Sequence, residues 1–317
     1  MLVSIVTHNA TVSESHYTFI LFSSYKRQTM DTQLAQLIIN GIAVGSIIAL
    51  GAVGLTLTYG ILRLSNFAHG DFLTLGAYLT LVTNTLSVNI WLSMILAAVG
   101  TVAVMLLIEK LLWSRMRSVR ATSTTLIIIS IGLALFLRNG IIFIWGGKNQ
   151  NYNLPVIPAL EFGELRIPQN QLLVLGLAVL AILFLHYILQ NTKIGKAMRA
   201  VADDLDLARV SGINVDRVIL WTWIIAGIFT SLGGSMYGLI TAVRPNMGWF
   251  LILPLFASVI LGGIGNPYGA IAAAFIIGIV QEVSTPWLGS QYKQGVALLI
   301  MILVLLIRPK GLFKGTI

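Results

Sequence analysis

The sequence contains no cysteine, which excludes disulfides, cysteine-ligated metals and thiol catalysis. Charge is scarce: 10% of the 317 residues are charged, against roughly 25% in an average soluble domain. No G-x-x-x-x-G-K-S/T phosphate loop occurs, so hydrolysis of ATP by that route is not expected of this chain. His8, His16, His69 and His186 lack metal-ligand spacing. No acid–base pair falls within an apolar run, and no clear cleavable signal peptide opens the chain. Metal, cofactor and catalytic centre are therefore all expected to be absent.

What is present is apolar. Hydrophobic residues make up 57% of the chain, and mean hydropathy is +0.89. They come in long uncharged runs, so the solvent for most of the chain is lipid. Positions 34–58 are free of charge, and so are all 37 positions of 72–108 and all 37 of 245–281. About 20 helical residues cross the ~30 Å hydrocarbon core, so each long run holds two segments. The first breaks at Asn84-Thr85-Leu86-Ser87-Val88-Asn89. The second breaks at Gly262-Gly263-Ile264-Gly265-Asn266-Pro267-Tyr268-Gly269, where proline and glycine cannot continue a helix. Further spans are expected at 122–145, 169–189, 218–242 and 292–307.

The expected fold is all-α: a polytopic transmembrane bundle of about eight spans, with discontinuous helices near 62–71 and 262–269. Residues 1–29 are expected to be an extension, disordered or upstream of a natural start at Met30, and 30–317 a single domain. The net charge of +9 lies in the gaps between runs, which is the distribution of cytoplasmic loops and not of a nucleic-acid binder. It places 113–121, 190–217 and the C-terminus in the cytoplasm, and 146–168 outside. Trp91, Trp113, Trp145, Trp221, Trp249 and Trp287 fall at span ends, where an aromatic belt belongs. Arg138 lies inside a span and needs a partner or a route to the interface. Gly41 and Gly45 form a G-x-x-x-G, which can bring two helices together but is common and says little by itself.

Three stretches carry chemistry. Asn66, Phe67, His69, Gly70 and Asp71 crowd a break between two apolar helices. Irregular backbone at membrane depth survives only inside protein or beside a water-filled cavity, so these residues are expected to line a solute path. The alternative is a surface loop whose Asp71 N-caps the next helix. Gly262, Gly263, Gly265 and Asn266 form a second break of similar layout, and paired interruptions point to a transport site; a plain helical hairpin is the alternative. In the loop 190–217, small residues recur at helical spacing. Asp203 or Asp204 starts a short helix and Gly212 ends one. This loop suits docking of a protein partner better than anionic headgroups, given Asp203, Asp204 and Asp206.

The runs Asn40-Gly41, Gly45-Ser46, Ala49-Leu50-Gly51, Tyr59-Gly60 and Asn66-Phe67-Ala68-His69-Gly70-Asp71 resemble the start of the LivH-type permeases, inner-membrane subunits of bacterial ABC importers for branched-chain amino acids. Gly195-Lys196-Ala197-Met198-Arg199-Ala200, Leu261-Gly262-Gly263-Ile264-Gly265 and Arg308-Pro309-Lys310-Gly311-Leu312-Phe313 are also similar. The resemblance covers about 31–317. It implies a permease paired with a second, related permease, two cytoplasmic ATP-binding subunits that hold the ATP, and an extracytoplasmic substrate-binding protein. It makes 190–217 the coupling loop, with Gly195, Ala200, Asp204, Asp206, Ala208 and Gly212 facing the ATPase. The ABC coupling motif is Glu-Ala-Ala-x3-Gly followed by Ile-x-Leu-Pro. Asp206-Leu207-Ala208 and Gly212 keep the spacing, Glu-Ala is replaced, and the Ile-x-Leu-Pro half is missing. The implied cargo is branched-chain or neutral amino acids, with urea or short amides as the alternative. An ion-coupled secondary transporter is the reading from a different class.

Overall fold

The computed structural model of the chain describes residues 2–155, 158–309 and 311–313, with side chains from Thr32 onward. The expectation for 1–29 lies outside these described side chains. In chain order the elements are α1 (Leu2–Leu62), α2 (His69–Thr85), α3 (Ile90–Ile108), α4 (Ser114–Ser118), α5 (Ser123–Trp145), β1 (Leu160–Phe162) and β2 (Leu165–Ile167). They continue with α6 (Gln169–Asn191), α7 (Lys193–Asp203), α8 (Leu205–Val210), α9 (Val215–Ile240), α10 (Met247–Gly262), α11 (Pro267–Val283), α12 (Thr285–Leu288) and α13 (Lys293–Ile307). A π-helical turn, Glu109–Trp113, joins α3 to α4. Among the described residues, six helical stretches are long and apolar enough to cross a membrane, beginning with Thr32–Leu62 of α1; α10 and α11 are shorter apolar helices. The all-α polytopic bundle expected from the runs is what forms, with a two-stranded hairpin in the loop 146–168.

Local chemistry sets the helix starts. Asn89 accepts from Trp91 N, Asn214 from Arg217 N, and Asn266 from Gly269 N; each cap satisfies a backbone donor that has no intrahelical partner. Pro267 occupies the first turn of α11, where its missing N–H costs nothing. Gly41 and Gly45 bring α1 against Gly278 and Phe275 of α11, close enough that a Cβ on either would strike α11 backbone. This is the close approach the G-x-x-x-G predicts.

Two halves of the chain repeat one plan. Leu62 to Ile240 and His69 to Met247 are both steps of 178 residues, from the end of one helix to the start of the next in each half. The same step carries Tyr59-Gly60 onto Tyr237-Gly238, Gly70 onto Gly248, and Phe72-Leu73 onto Phe250-Leu251. Packing repeats as well: α3 lies on α9 as α11 lies on α1, α2 on α9 as α10 on α1, and α2 on α5 as α10 on α13. Gly54 of α1 faces Ala226 and Thr230, while Gly233 faces Ile47 and Gly51, so α1 and α9 run antiparallel. The halves are therefore inverted with respect to one another.

The counterpart of the first break is thus Thr241–Asn246, not 262–269 as the sequence layout suggested. The 262–269 break corresponds to the turn between α2 and α3. The two ends of the bundle are also fixed. Thr32 and Gln36 bond to Glu164 and Arg166 of the 146–168 loop, while Arg63, beyond Leu62, reaches Ala202 O of the 190–217 loop at 3.5 Å. On the positive-inside expectation for the basic loops, Thr32 marks the outer end of α1 and Leu62 the inner end.

Candidate translocation site

The first break turns back into the membrane. Arg63 adopts φ +54 just after α1, and 64–68 climb until His69 Nε2 lies 2.9 Å from Gly51 O and 3.1 Å from Thr230 Oγ1. Gly51 lies eleven residues before Leu62, so α2 begins about 16 Å inside the inner end of α1. Asn66 shapes the turn before this start, where its Oδ1 accepts from Ala68 N at 3.1 Å and its carbonyl from His69 N at 3.2 Å, and Ala68 stands at the N-cap with no side-chain cap. Asp71 is therefore not the N-cap; it is the third residue of α2. It accepts a two-pronged ion pair from Arg138 Nε at 3.0 Å and Nη2 at 3.2 Å. A carboxylate in the first turn also suits the positive end of the helix dipole. The Arg138 guanidinium lies 4.6 Å from the ring centre of Trp249, a cation–π contact. The intramembrane arginine thus finds its partner 67 positions away.

The second re-entrant segment descends from the outer end of α9 to Met247. There the two half-helix starts meet. A Cβ on Gly70 would run into Gly248 O, and one on Gly248 would run into Gly70 O. Gly70 also faces Ile252, as Gly248 faces Thr74; the 178-residue step carries Gly70 onto Gly248 and Thr74 onto Ile252, so it exchanges the two contacts. Reciprocal contact of this kind marks a two-fold axis, here an internal one passing between the two glycines. Thr74 Oγ1 accepts from Gly248 N at 3.0 Å and ties the halves together.

Asn66, His69, Gly70 and Asp71 are sealed inside the chain, whereas Phe67 is half-buried. The surface at this depth belongs to Phe67, Arg138, Asn139 and Trp249. Gly262 and Gly263 are buried and Gly265 and Asn266 half-buried at the inner end of the bundle. Gly265 N donates to Thr56 Oγ1 at 3.2 Å, and Leu312 N to Leu261 O at 2.8 Å, so the segment after α13 covers this break. Gly263 and Gly265 supply the positive φ (+96 and +83) that the turn requires. Beside it a cavity of about 250 Å³, lined by Thr56, Gly60, Met198, Arg199, Ala202 and Gly265 among others, opens toward α7.

The 190–217 loop folds as two short helices. Asp204 caps α8 by accepting from Leu207 N at 2.9 Å, and Gly212 closes it at φ +84. Gly195 packs on Ile188 and Leu189 of α6, and Ala208 is buried; both hold the loop to the bundle. Ala200 is half-buried, and Asp206 is exposed together with Leu207 and Val210. Among the described residues, no group of three or more His, Asp or Glu is placed to hold a metal.

Residues 37–305 match the family model for the branched-chain amino acid transport system permease component. The chain belongs to this permease family. The high-affinity branched-chain amino acid transport permease LivH of Escherichia coli K12 is 31% identical over 87% of this chain and 94% of its own. BraD of Pseudomonas aeruginosa is 32% identical over the same shares, and a LivH of Methanocaldococcus jannaschii 29% identical over 86% and 90%. The solved structure of PsaBC from Streptococcus pneumoniae in complex with Fab aligns over 88% of this chain and 92% of its own, at TM-score 0.48 and 17% identity, a level that carries no argument.

Two features of this permease escaped the sequence reading. Thr241–Asn246 reads as an ordinary external loop, and only its 178-residue offset from 63–68 flags it. Trp249, placed in the belt by its neighbours, lies at the depth of Gly70. Trp113 keeps its place near the end of the span Ile90–Ser118 but is fully buried in the chain. Trp223 is buried too, and its Nε1 donates to Glu109 at 2.7 Å, with Arg117 paired to the same carboxylate.

Proposed function

We propose that this permease is one transmembrane subunit of an ATP-driven bacterial inner-membrane importer for branched-chain or other neutral amino acids. The observation that carries the reading is similarity along nearly the whole chain to permeases named for branched-chain amino acid transport. Its partners in this reading are a second, related permease, two cytoplasmic ATP-binding subunits and an extracytoplasmic binding protein. ATP belongs to those partners, and this chain supplies no cofactor or catalytic centre. The relatives named above are permeases for branched-chain amino acids, which favours this reading over the urea or amide alternative.

The geometry supports a cycle. The binding protein delivers solute at the outer face. Closure of the ATPases moves α7 and α8, whose exposed Leu207 and Val210 fit a partner's groove, with Asp206 beside them. α7 grips the bundle through Gly195 and through Arg199, which donates to Leu189 O. Movement there reaches the 262–269 break across the cavity beside Thr56 and Met198. The inverted halves then rock about Gly70 and Gly248, opening the path at 66–71 to one side and then the other. Inversion makes such rocking natural, because the inward and outward states exchange the roles of the two halves.

Reconstitution in liposomes tests this. The assembled complex should accumulate leucine only with ATP and the binding protein. Leu207→Asp with Val210→Asp should release the ATP-binding subunits and abolish uptake while the permease keeps its thermal stability. Leucine uptake driven by an ion gradient in the absence of ATP would refute the reading.

A further inference from the structure

The two re-entrant segments occupy equivalent places, and the 178-residue step carries Asn66 onto Arg244. Both leave a buried nitrogen donor without an acceptor: Asn66 Nδ2 and Arg244 Nε. Asn66 is fully buried, with its oxygen committed to Ala68. Arg244 is half-buried, so part of its guanidinium remains reachable.

Arg244 lies below the outer surface. Its neighbour Val243 exchanges two backbone hydrogen bonds with Gln150, at 3.0 and 2.8 Å, and packs with Tyr152 around Gly238. Tyr152 Oη in turn donates to Ala77 O at 3.3 Å. Ala77 is eight residues before the outer end of α2 and Gly238 two before that of α9, so the Tyr152 hydroxyl lies about 12 Å inside one helix end and about 3 Å inside the other. Burial pushes the Tyr152 phenol up, so it stays a neutral donor.

A half-buried guanidinium with a buried, unpartnered Nε calls for an anion. Among the described residues none lies within ion-pair distance of Arg244. The neighbouring Tyr237 also feels Glu282, but Glu282 is already held by Lys293 at 2.5 Å. Arg138, across α10, is taken by Asp71. The first two N–H groups of α10 are also committed, Met247 N to Arg244 O and Gly248 N to Thr74 Oγ1. The unsatisfied cation beside the half-helix start is therefore the arginine side chain.

We propose that Arg244 receives the carboxylate of the incoming amino acid in the outer half of the translocation path. This rests on the amino-acid reading above. A planar fork with fixed donors matches a carboxylate, whereas lysine offers the charge alone. The solute would meet Arg244 before it reaches the level of Gly70 and Gly248.

The test uses the complete importer in liposomes with leucine as probe, scoring leucine imported and ATP hydrolysed per leucine. Arg244→Gln should lower import at least tenfold and raise ATP consumed per leucine at least fivefold. Arg244→Lys should keep at least a third of parental import. Import by R244Q within twofold of the parent overturns the proposal. So does a parallel fall in import and hydrolysis that leaves their ratio unchanged, since that marks a purely structural arginine. If R244Q does not assemble, R244K decides: import below a tenth of the parent by an assembled R244K complex overturns the proposal. A parental complex that imports acetamide or urea but not leucine overturns the amino-acid reading together with it. Leucine import by parent and R244Q alike overturns only the role of Arg244.

Discussion

The two halves of this permease share a backbone and differ in what they carry on it. In the first, α2 starts with His69, Gly70 and Asp71, all buried; His69 bonds to Gly51 and Thr230, and Asp71 pairs with Arg138. In the second, α10 starts with Met247, Gly248 and Trp249, preceded by Arg244, and Trp249 is 45% exposed. What survives in both is glycine at the point of crossing. The comparison teaches that scaffold and chemistry are separable: small residues let the half-helices meet, and polar residues at equivalent positions are free to differ, so one start is locked and the other left open.

The sharpest way to break the comparison is at the crossing itself. Gly248→Val and Gly70→Val should each lose folded protein, measured as monodisperse yield from detergent. The loss should exceed the roughly 1–3 kcal/mol of ordinary overpacking, because the obstacle on each side is backbone. Equal loss in both supports the internal two-fold, and tolerance of either one breaks it.

The next effect belongs to the first half alone. Asp71→Ala or Arg138→Ala strands a buried charge, and each should cost about 3–5 kcal/mol, read as a lowered thermal midpoint. Asp71→Leu combined with Arg138→Met should recover most of it. A double variant no better than either single change would mean that the pair does more than neutralise itself.

Smaller again is the swap of one half's residue into the other. His69→Met removes the bonds to Gly51 O and Thr230 and should cost about 1–3 kcal/mol in the same measurement. A neutral result would show that the His69 contacts add nothing over the Met247 arrangement. The smallest change tests the tie between the halves. Thr74→Val deletes the acceptor of Gly248 N and should cost about 1 kcal/mol, while leaving leucine uptake within twofold.

Much of the fold was legible because lipid imposes a simple rule. A run of 37 uncharged residues cannot be one helix, so the breaks at 84–89 and 262–269 followed from length and glycine content. Asp204 and Gly212 announced their roles in α8 by residue type, and Gly41 and Gly45 announced close packing. The break at 62–71 was legible from its polar residues, but its interior geometry was not. Asp71 is a reasonable N-cap by type, yet Ala68 stands at the N-cap and Asp71 pairs, because Arg138 arrives from a helix whose approach no local pattern encodes. Trp249 was misplaced for the same reason: a tryptophan near an irregular stretch resembles a belt residue until the depth of that stretch is known. Thr241–Asn246 was overlooked because six residues between two apolar helices suffice for an external turn or for a descent to mid-depth.

By itself the sequence determined that this chain lives in a membrane and that its long uncharged runs are broken at 84–89 and 262–269, since these depend on hydropathy, glycine and charge counted along the chain. Only the tertiary structure decided which interruptions face one another. Gly70 and Gly248 meet because inverted halves pack antiparallel helices against each other, and an inverted pairing places residues 178 apart at one point. Depth, partner and exposure are properties of that packing, so Arg138 became satisfied and Arg244 did not, although both are single arginines in apolar surroundings.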